Sequence, residues 1–373
     1  MKILVVSHEF PPIGGGGANA CYFLSREYVK AGHKVVVVTA NYKDMPTSEV
    51  IDGITIIRLN SKRAFKDHCG FGEMASYLAK AMKIIGTLER KENFDICQVF
   101  FGIPSGPLGY WLKKKYHVPY IIRFGGGDIP GFQKRFKWVY KFIAPFIKVL
   151  WKNAEALVAN SNELKRFAES FYAGKPILVI HNGVDAEAFK MDKEKKAERA
   201  IRILFVSRLI ERKGLQHIIP MLKDIQSQID TPIKLIVVGD GPYRGTLESM
   251  AEQCNVKDIV QFVGGKEKNE LHEYYQNADV FILPSRMEGM PNVVLEAMAS
   301  GLPIVMTPCG GSEELVKENG YVVPVEQFDK ALIKLCSDRN QRLIMGKASR
   351  RAVEAEFSWE KKAKAYMELF DKI

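Results

Sequence analysis

The stretch 278–305, ADVFILPSRMEGMPNVVLEAMASGLPIV, constrains the fold more tightly than any other part of the chain. Residues 279–284 are short, apolar and partly β-branched, the pattern of a buried strand, and Pro284 and Ser285 end it. Residues 285–290 read as a loop. Pro291 falls where a first helical residue is favoured, 293–300 continue the helix, and Gly301 is placed to stop it. Residues 302–306 then form the next buried strand. A strand, loop, helix and strand in this order open the loop at the carboxyl end of a parallel sheet, where α/β folds bind ligands. The helix N-terminus adds unpaired N–H groups and partial positive charge, which suit a phosphate or a sugar oxygen.

The same alternation runs along the whole chain. Strands are expected at 2–7, 34–39, 54–59, 94–99, 119–124, 154–160 and 177–180, then at 202–206, 234–238 and 259–263. Helices are expected over 18–32, 71–90 and 103–116, and near the end over 326–336, 339–357 and 359–370. Strands alternating with helices mean doubly wound parallel sheets. With 373 residues and 47% hydrophobic content the chain can bury two ordinary cores, so two domains are expected. No run of about 18 apolar residues occurs, and residues 1–6 begin directly as a strand without a cleavable signal. The six Cys are scattered without C-x-x-C spacing, which fits reduced thiols rather than a disulfide frame or a zinc site. A cytoplasmic protein is expected.

Charge is divided unequally. Residues 1–180 hold 26 Lys and Arg against 14 Asp and Glu, a net +12, whereas 181–373 hold 28 against 29, a net −1. An asymmetry of this kind points one half toward an anionic partner, either nucleic acid or an anionic membrane. The segment 132–153, FQKRFKWVYKFIAPFIKVLWKN, concentrates it. Phe132, Phe136, Val139, Ile143, Phe146, Ile147 and Leu150 recur at helical spacing among Lys134, Arg135, Lys137, Lys141, Lys148 and Lys152, and Pro145 is expected to kink or divide the helix. A helix packed on its own domain explains the apolar residues; a membrane-surface helix explains the aromatics and the cations as well. Lys113, Lys114 and Lys115 extend the same basic patch, and 191–199 reads as a charged, solvated linker.

Four groups of residues carry chemistry. Glu288 and Glu296 lie eight positions apart; an arbitrary pair so spaced is two solvated side chains, but here one precedes a Pro-started helix and the other follows an apolar turn. Arg208 and Lys213 follow one strand and can reach a diphosphate, Arg by a planar fork and Lys as a point charge. Gly239-Asp240-Gly241-Pro242 is a tight turn after another strand. Gly14 to Gly17 follow the first strand and allow close backbone approach to a ligand. That run does not match G-x-G-x-x-G, because Asn19 takes the last glycine position, and a plain flexible turn is its alternative reading.

Taken together and in order, these residues resemble the E-x7-E signature and companion motifs of retaining GT-B glycosyltransferases, specifically glycosyltransferase family 4, and the resemblance spans nearly the whole chain. It implies two facing Rossmann-like domains with the active site in the interdomain cleft: residues 1–181, joined by a C-terminal helix at about 358–373, facing acceptor and membrane, and residues 182–357 binding the nucleotide sugar. It implies that Glu288 holds hydroxyls of the donor sugar, that Glu296 holds the ribose, and that Arg208 and Lys213, an R-x4-K-G motif, neutralise the donor phosphates. Gly15, Gly16 and Gly17 would face donor phosphate and acceptor, and Asn182, in His181-Asn182-Gly183-Val184-Asp185, would mark the domain junction. Gly239, Gly241, Gly289, Met290, Pro291, Asn292 and Val293 would complete the donor site. Many relatives carry a His beside a Gly where this chain has Gly125, Gly126, Gly127 and Asp128; Asp128 then stands either as an acceptor-positioning carboxylate or as a turn former.

The implied reaction moves a hexose or N-acetylhexosamine from a nucleotide-diphosphate sugar, UDP favoured over GDP, to a lipid-linked or glycan acceptor. The donor is the only small molecule implied; no cofactor and no metal are expected, since no Asp-x-Asp pair is present to hold a metal–diphosphate. An anionic membrane surface is an expected partner and nucleic acid is not. Retention would follow from same-face attack, with a donor phosphate oxygen taking the acceptor's proton. Three other functions compete. A glycoside hydrolase needs two carboxyls about 5–9.5 Å apart, whereas eight residues on one straight helix span about 12 Å. A sugar-nucleotide epimerase of the same fold would need further titratable groups, and a nucleic-acid-binding module would leave the phosphate and carboxylate motifs idle.

Overall fold

The run Lys2–Val6 becomes β1, and its alternate side chains already define two packed layers: Leu4 and Val6 join one apolar cluster, Ile3 and Val5 the other. Burial on both faces is why the strand reads as a continuous apolar run rather than an alternating one. The computed structural model describes residues 1–66, 69–132, 137–191 and 200–373. They form two compact units, Met1–Asn182 with Trp359–Ile373, and Gly183–Ser358.

In the first unit β1 is followed by α1 (Gly16–Lys30), β2 (Lys34–Ala40), β3 (Ser48–Ile51), β4 (Ile54–Leu59), α2 (Phe71–Glu92), β5 (Ile96–Phe100), α3 (Gly102–Tyr116), β6 (Tyr120–Arg123), α4 (Lys137–Asn153), β7 (Ala156–Ala159), α5 (Asn162–Phe171) and β8 (Ile177–Val179). The strand order is β3-β4-β2-β1-β5-β6-β7-β8, parallel throughout except for β3 against β4. β1 therefore has β2 on one side and β5 on the other, and the order reverses between β1 and β5.

The sequence reading omitted β3. Its signal was the Asp52-Gly53 turn, where both residues have positive φ (+49° and +77°), as a two-residue hairpin requires. α1 begins two residues before the expected position, so Gly16 and Gly17 are helical and only Gly14 and Gly15 belong to the loop. α4 runs on through Pro145 without dividing. Residues 133–136 and the side chain of Lys137 lie outside the described residues, and with them the roles foreseen for Lys134, Arg135 and Phe136. Residues 192–199 of the expected linker lie outside them too.

The second unit runs β9 (Ile201–Val206), α6 (Leu222–Ser227), β10 (Ile233–Val238), α7 (Arg244–Gln253), β11 (Val260–Gly264), α8 (Lys268–Gln276), β12 (Val280–Leu283), α9 (Asn292–Ala299), β13 (Ile304–Met306), α10 (Ser312–Leu315), β14 (Gly320–Val322), α11 (Phe328–Ser337) and α12 (Arg339–Glu356). Its parallel order, β11-β10-β9-β12-β13-β14, is the doubly wound arrangement with its reversal between β9 and β12. Short turns and Arg350, whose guanidinium donates to the carbonyls of Ala186, Phe189 and Ala299 at 2.8–3.0 Å, fasten the edges of this unit. The last helix, α13 (Trp359–Phe370), packs in the first unit, with Trp359 stacked on Phe23 at 5.5 Å and Phe370 against Tyr28 at 5.6 Å. No described helix is long and apolar enough to cross a membrane.

Candidate active site

Ligands of open α/β sheets bind where the strand order reverses, at the carboxyl ends. In the second unit that place is the pair β9 and β12, in register from Ile203 against Val280. Arg208 and Lys213 leave the first of these strands and Glu288 leaves the second, so residues 75 positions apart in sequence are brought together. The Lys213 ammonium donates to Glu288 Oε1 at 2.7 Å, with the two side chains only 14% and 11% exposed.

Backbone packing fixes this meeting. Lys213 ends a 3-10 turn, Glu211–Lys213, closed by Gly214 at φ +80°. A Cβ on Gly214 would stand 1.9 Å from the Pro284 carbonyl oxygen, so only glycine lets the turn press against the exit of β12. The two loops are then laced together: Arg286 N–H donates to the Arg212 carbonyl at 3.0 Å, and the Arg212 guanidinium donates to the Met287 carbonyl at 2.5 Å. Just past β13, the Thr307 hydroxyl donates to the Ser285 carbonyl at 2.5 Å.

Gly239 and Gly241 play a similar part. Cβ atoms there would meet the carbonyl oxygens of Ser207 and Leu209 at 1.9 and 2.3 Å, while Leu209 N–H donates to the Asp240 carbonyl at 2.8 Å. The Gly-Asp-Gly-Pro turn is thus the brace of the loop that carries Arg208, whose own side chain is exposed. Gly310 was not foreseen. A Cβ there would stand 2.2 Å from the Glu288 carbonyl oxygen, so the Gly310-Gly311 pair after β13 supports the Glu288 loop from below. Two glycines between a strand and a short helix were the available signal.

Pro291 is the N-cap of α9 (φ −77°, ψ 112°) rather than its first helical residue. Pro291 supplies no side-chain cap and no acidic residue occupies the first turn of the helix. Gly289, Asn292 and Val293 are half-exposed there, while Met290 is buried. Glu296, one turn further, is 8% exposed, and its Oε2 accepts from the Tyr275 hydroxyl at 2.8 Å. Burial pushes its carboxyl above the usual range, against the field of Lys268 and the Tyr275 hydrogen bond. Tyr275 is fully buried between Phe189 and Phe281, so the acceptor it serves is held in one place. Nothing in the sequence marked Tyr275, because one aromatic in an amphipathic helix looks like core.

In the first unit the reversal lies at β1 and β5. His8, just past β1, is 5% exposed, its Nδ1 has no hydrogen-bond partner, and its ring meets Phe101 edge-on at 4.8 Å. Burial lowers its pKa to about 4, with Glu9 opposing and Arg63 adding to the shift. Phe101, at φ +69°, packs where side chains on Gly17 and Gly125 would collide with its ring, at 2.4 Å in both cases. Gly15, the N-cap of α1, has nothing within 4 Å of where a Cβ would stand.

Asp128 is 4% exposed; its two oxygens accept from Gly102 N–H at 2.6 Å and Gly125 N–H at 2.9 Å. Of the two roles expected for it, loop shaping is the one this geometry displays, and burial raises its pKa despite those bonds. Asn182 is buried and accepts from the Arg123 guanidinium. Among the described residues no group of three or more His, Cys, Asp and Glu side chains could hold a metal ion.

A family model for group 1 glycosyl transferases matches residues 186–352, and one for glycosyltransferase family 4 matches residues 14–188. The chain is 34% identical over 215 residues to a GDP-mannose-dependent alpha-(1-6)-phosphatidylinositol monomannoside mannosyltransferase of Mycobacterium tuberculosis; the aligned part is 52% of this chain and only 56% of that protein. Among solved structures, sucrose-phosphate synthase from Thermosynechococcus elongatus superposes with a TM-score of 0.85 at 21% identity, covering 100% of this chain and 98% of that one. Anabaena HepE, solved with UDP and glucose, gives 0.76 at 16% identity, covering both chains fully at 100%. At such identities the structural likeness establishes the fold, which is GT-B.

Proposed function

The chain belongs to glycosyltransferase family 4, with the GT-B fold, and from that premise we propose that it is a retaining, metal-independent hexosyltransferase of glycolipid or surface-polysaccharide assembly. The donor is a nucleotide-diphosphate hexose or N-acetylhexosamine, and the acceptor is lipid-linked or a glycan. The observation that carries the proposal is the Lys213–Glu288 pair, a cation that can take a diphosphate beside a carboxylate that can take sugar hydroxyls. Relatives point to different nucleotides: HepE was solved with UDP, and the mycobacterial relative uses GDP-mannose. UDP-sugars come first in this proposal and GDP-sugars second.

In the reaction the bond from the sugar's C1 to the diphosphate oxygen breaks and the acceptor hydroxyl bonds to C1 on the same face. Its proton passes to the departing phosphate oxygen. Negative charge grows on the diphosphate, so Lys213 and Arg208 do most where they neutralise it, together with the positive end of α9, whose first turn holds no acidic residue. Glu288 orients the sugar and Glu296, held by Tyr275, takes the ribose. A thermal-shift panel of nucleotide sugars tests this, since a ligand bound only by the folded state raises the melting temperature; turnover of the donor so found is then measured with and without chelator. Stabilisation by a nucleotide sugar and chelator-resistant transfer support the proposal. Absence of any nucleotide shift, or inactivation by chelator that Mg²⁺ reverses, overturns the reaction or its metal independence respectively.

A further inference from the structure

The first unit presents an apolar helix face to solvent. On α4, Trp138, Phe142 and Phe146 follow at four-residue intervals and Val149 falls on the same side; they are 72%, 80%, 46% and 40% exposed. The opposite side of the helix is anchored, with Tyr140, Ile147, Leu150 and Trp151 buried in the core, so the helix cannot turn to hide its aromatics. Lys141, Lys148 and Lys152 are exposed along one edge of the apolar stripe, the Lys141 ammonium lying 5.7 Å from the Trp138 ring. At the far end Lys113 of α3 donates to the Asn153 carbonyl at 2.8 Å, which brings the exposed Lys114 and Lys115 to the same region. From Ile129 to Ala154 the chain contains no Asp or Glu.

We propose that this face docks on an anionic lipid bilayer, with the α4 aromatics entering the headgroup layer and the lysines meeting lipid phosphates. Nucleic acid would use the cations and leave the apolar residues exposed. A protein partner would need an acidic rim around an apolar groove. A bilayer supplies a planar anionic layer over an apolar interior, and Trp and Phe beside Lys on a surface helix match both. The docking surface is independent of the donor site and needs no turnover to be tested.

Flotation with phosphatidylcholine vesicles, with and without phosphatidylglycerol, tests it on the full chain. The protein should float with the anionic vesicles, less so at high salt, and barely with the neutral ones. Trp138→Ser with Phe142→Ser, which leaves net charge unchanged, should weaken flotation about ten-fold or more. Ile344→Ser in the second unit, a residue 65% exposed, should not. Of the four tryptophans Trp138 alone is exposed, so the protein's emission should also shift to the blue on adding anionic vesicles, and the shift should be lost in the Trp138→Ser, Phe142→Ser variant. Equal flotation with neutral and anionic vesicles, undiminished flotation of the aromatic variant, or an unshifted emission would each overturn the proposal. Nucleotide binding by the same variants is expected to match wild type, so that weaker flotation reports on this face and not on loss of the fold.

Discussion

Replacing Glu288 by Gln asks what the carboxylate does before the donor arrives. At 2.7 Å, two unit charges attract by about 6 kcal/mol at an effective dielectric constant of about 20, and desolvation of two largely buried groups removes much of that. What survives is of the order of a charged hydrogen bond, about 1.5–3 kcal/mol, against about 0.5–1.5 for the neutral amide. A diphosphate that takes Lys213 must first displace Glu288. Glu288→Gln lowers that cost by about 1 kcal/mol, so free nucleoside diphosphate should bind about five-fold tighter, while turnover falls about 10²-fold or more because the sugar is no longer oriented. Lys213→Met should act in the opposite way on binding, weakening the diphosphate about ten-fold or more. Calorimetry with UDP and GDP, beside initial rates on the donor found by thermal shift, measures both. Equal weakening of nucleotide binding by the two variants would refute the division of labour between cation and carboxylate.

Three further outcomes are expected. Glu296→Gln should weaken nucleoside diphosphate and intact donor alike, since both carry ribose, yet raise the melting temperature near neutral pH. Its folded carboxyl titrates above the unfolded value, so wild-type stability falls as pH rises through that interval; the advantage of Gln should vanish below the ordinary carboxyl range, and a pH-independent difference would contradict it. His8 runs the other way. With a folded pKa of about 4 against 6.5, the unfolded chain binds the extra proton, so stability is lost as pH falls through that window, by about 3 kcal/mol at completion; His8→Phe should flatten that part of an acid-denaturation series. Gly214→Ala must move either the turn or Pro284 and should cost about 1–3 kcal/mol in denaturant melts together with most of the turnover; wild-type activity would show that the turn does not set Lys213.

Much of this could be read from sequence because parallel strands buried on both faces are long apolar runs that glycine and proline punctuate. Strands and long helices were found within a few residues on that ground, and β3 was missed because a short, exposed edge strand has no such run. The reach of Lys213 to Glu288 was harder. Nothing local says that β9 and β12 are neighbours; the reversal of strand order does. Resemblance supplied the roles of Gly239 and Gly241 as donor contacts, whereas the backbone oxygens within 2.3 Å of their absent Cβ atoms give them an architectural duty first. Asp128 was ambiguous in sequence because a carboxylate among glycines can serve a substrate or its own loop, and only the two N–H donors on its oxygens distinguish the cases.

The two units repeat one topology with different chemistry at the reversal. At β1 and β5 the space is filled by an aromatic ring, a neutral imidazole and a carboxylate whose oxygens accept backbone hydrogen bonds, with the Arg63–Glu9 ion pair (3.3 Å) beside them. At β9 and β12 it is filled by an ion pair. A diphosphate loses its hydration at tolerable cost only where cations replace the water. Lys213 in the second unit has a carboxylate partner that can be exchanged, whereas the Arg63 side chain in the first is buried and tied to the carbonyls of His8, Phe65 and Lys66 as well as to Glu9. The first has an open Gly15 at the start of α1, where nothing lies within 4 Å of the Cβ position, and room there suits neutral hydroxyls. That difference favours donor binding at the second unit and acceptor binding at the first. It also fixes where a charge reversal should act: Lys213→Glu should abolish nucleotide binding and leave vesicle flotation intact, while Lys141→Glu with Lys148→Glu should do the reverse. A variant of either kind that lost both would mean that the two surfaces are not separate.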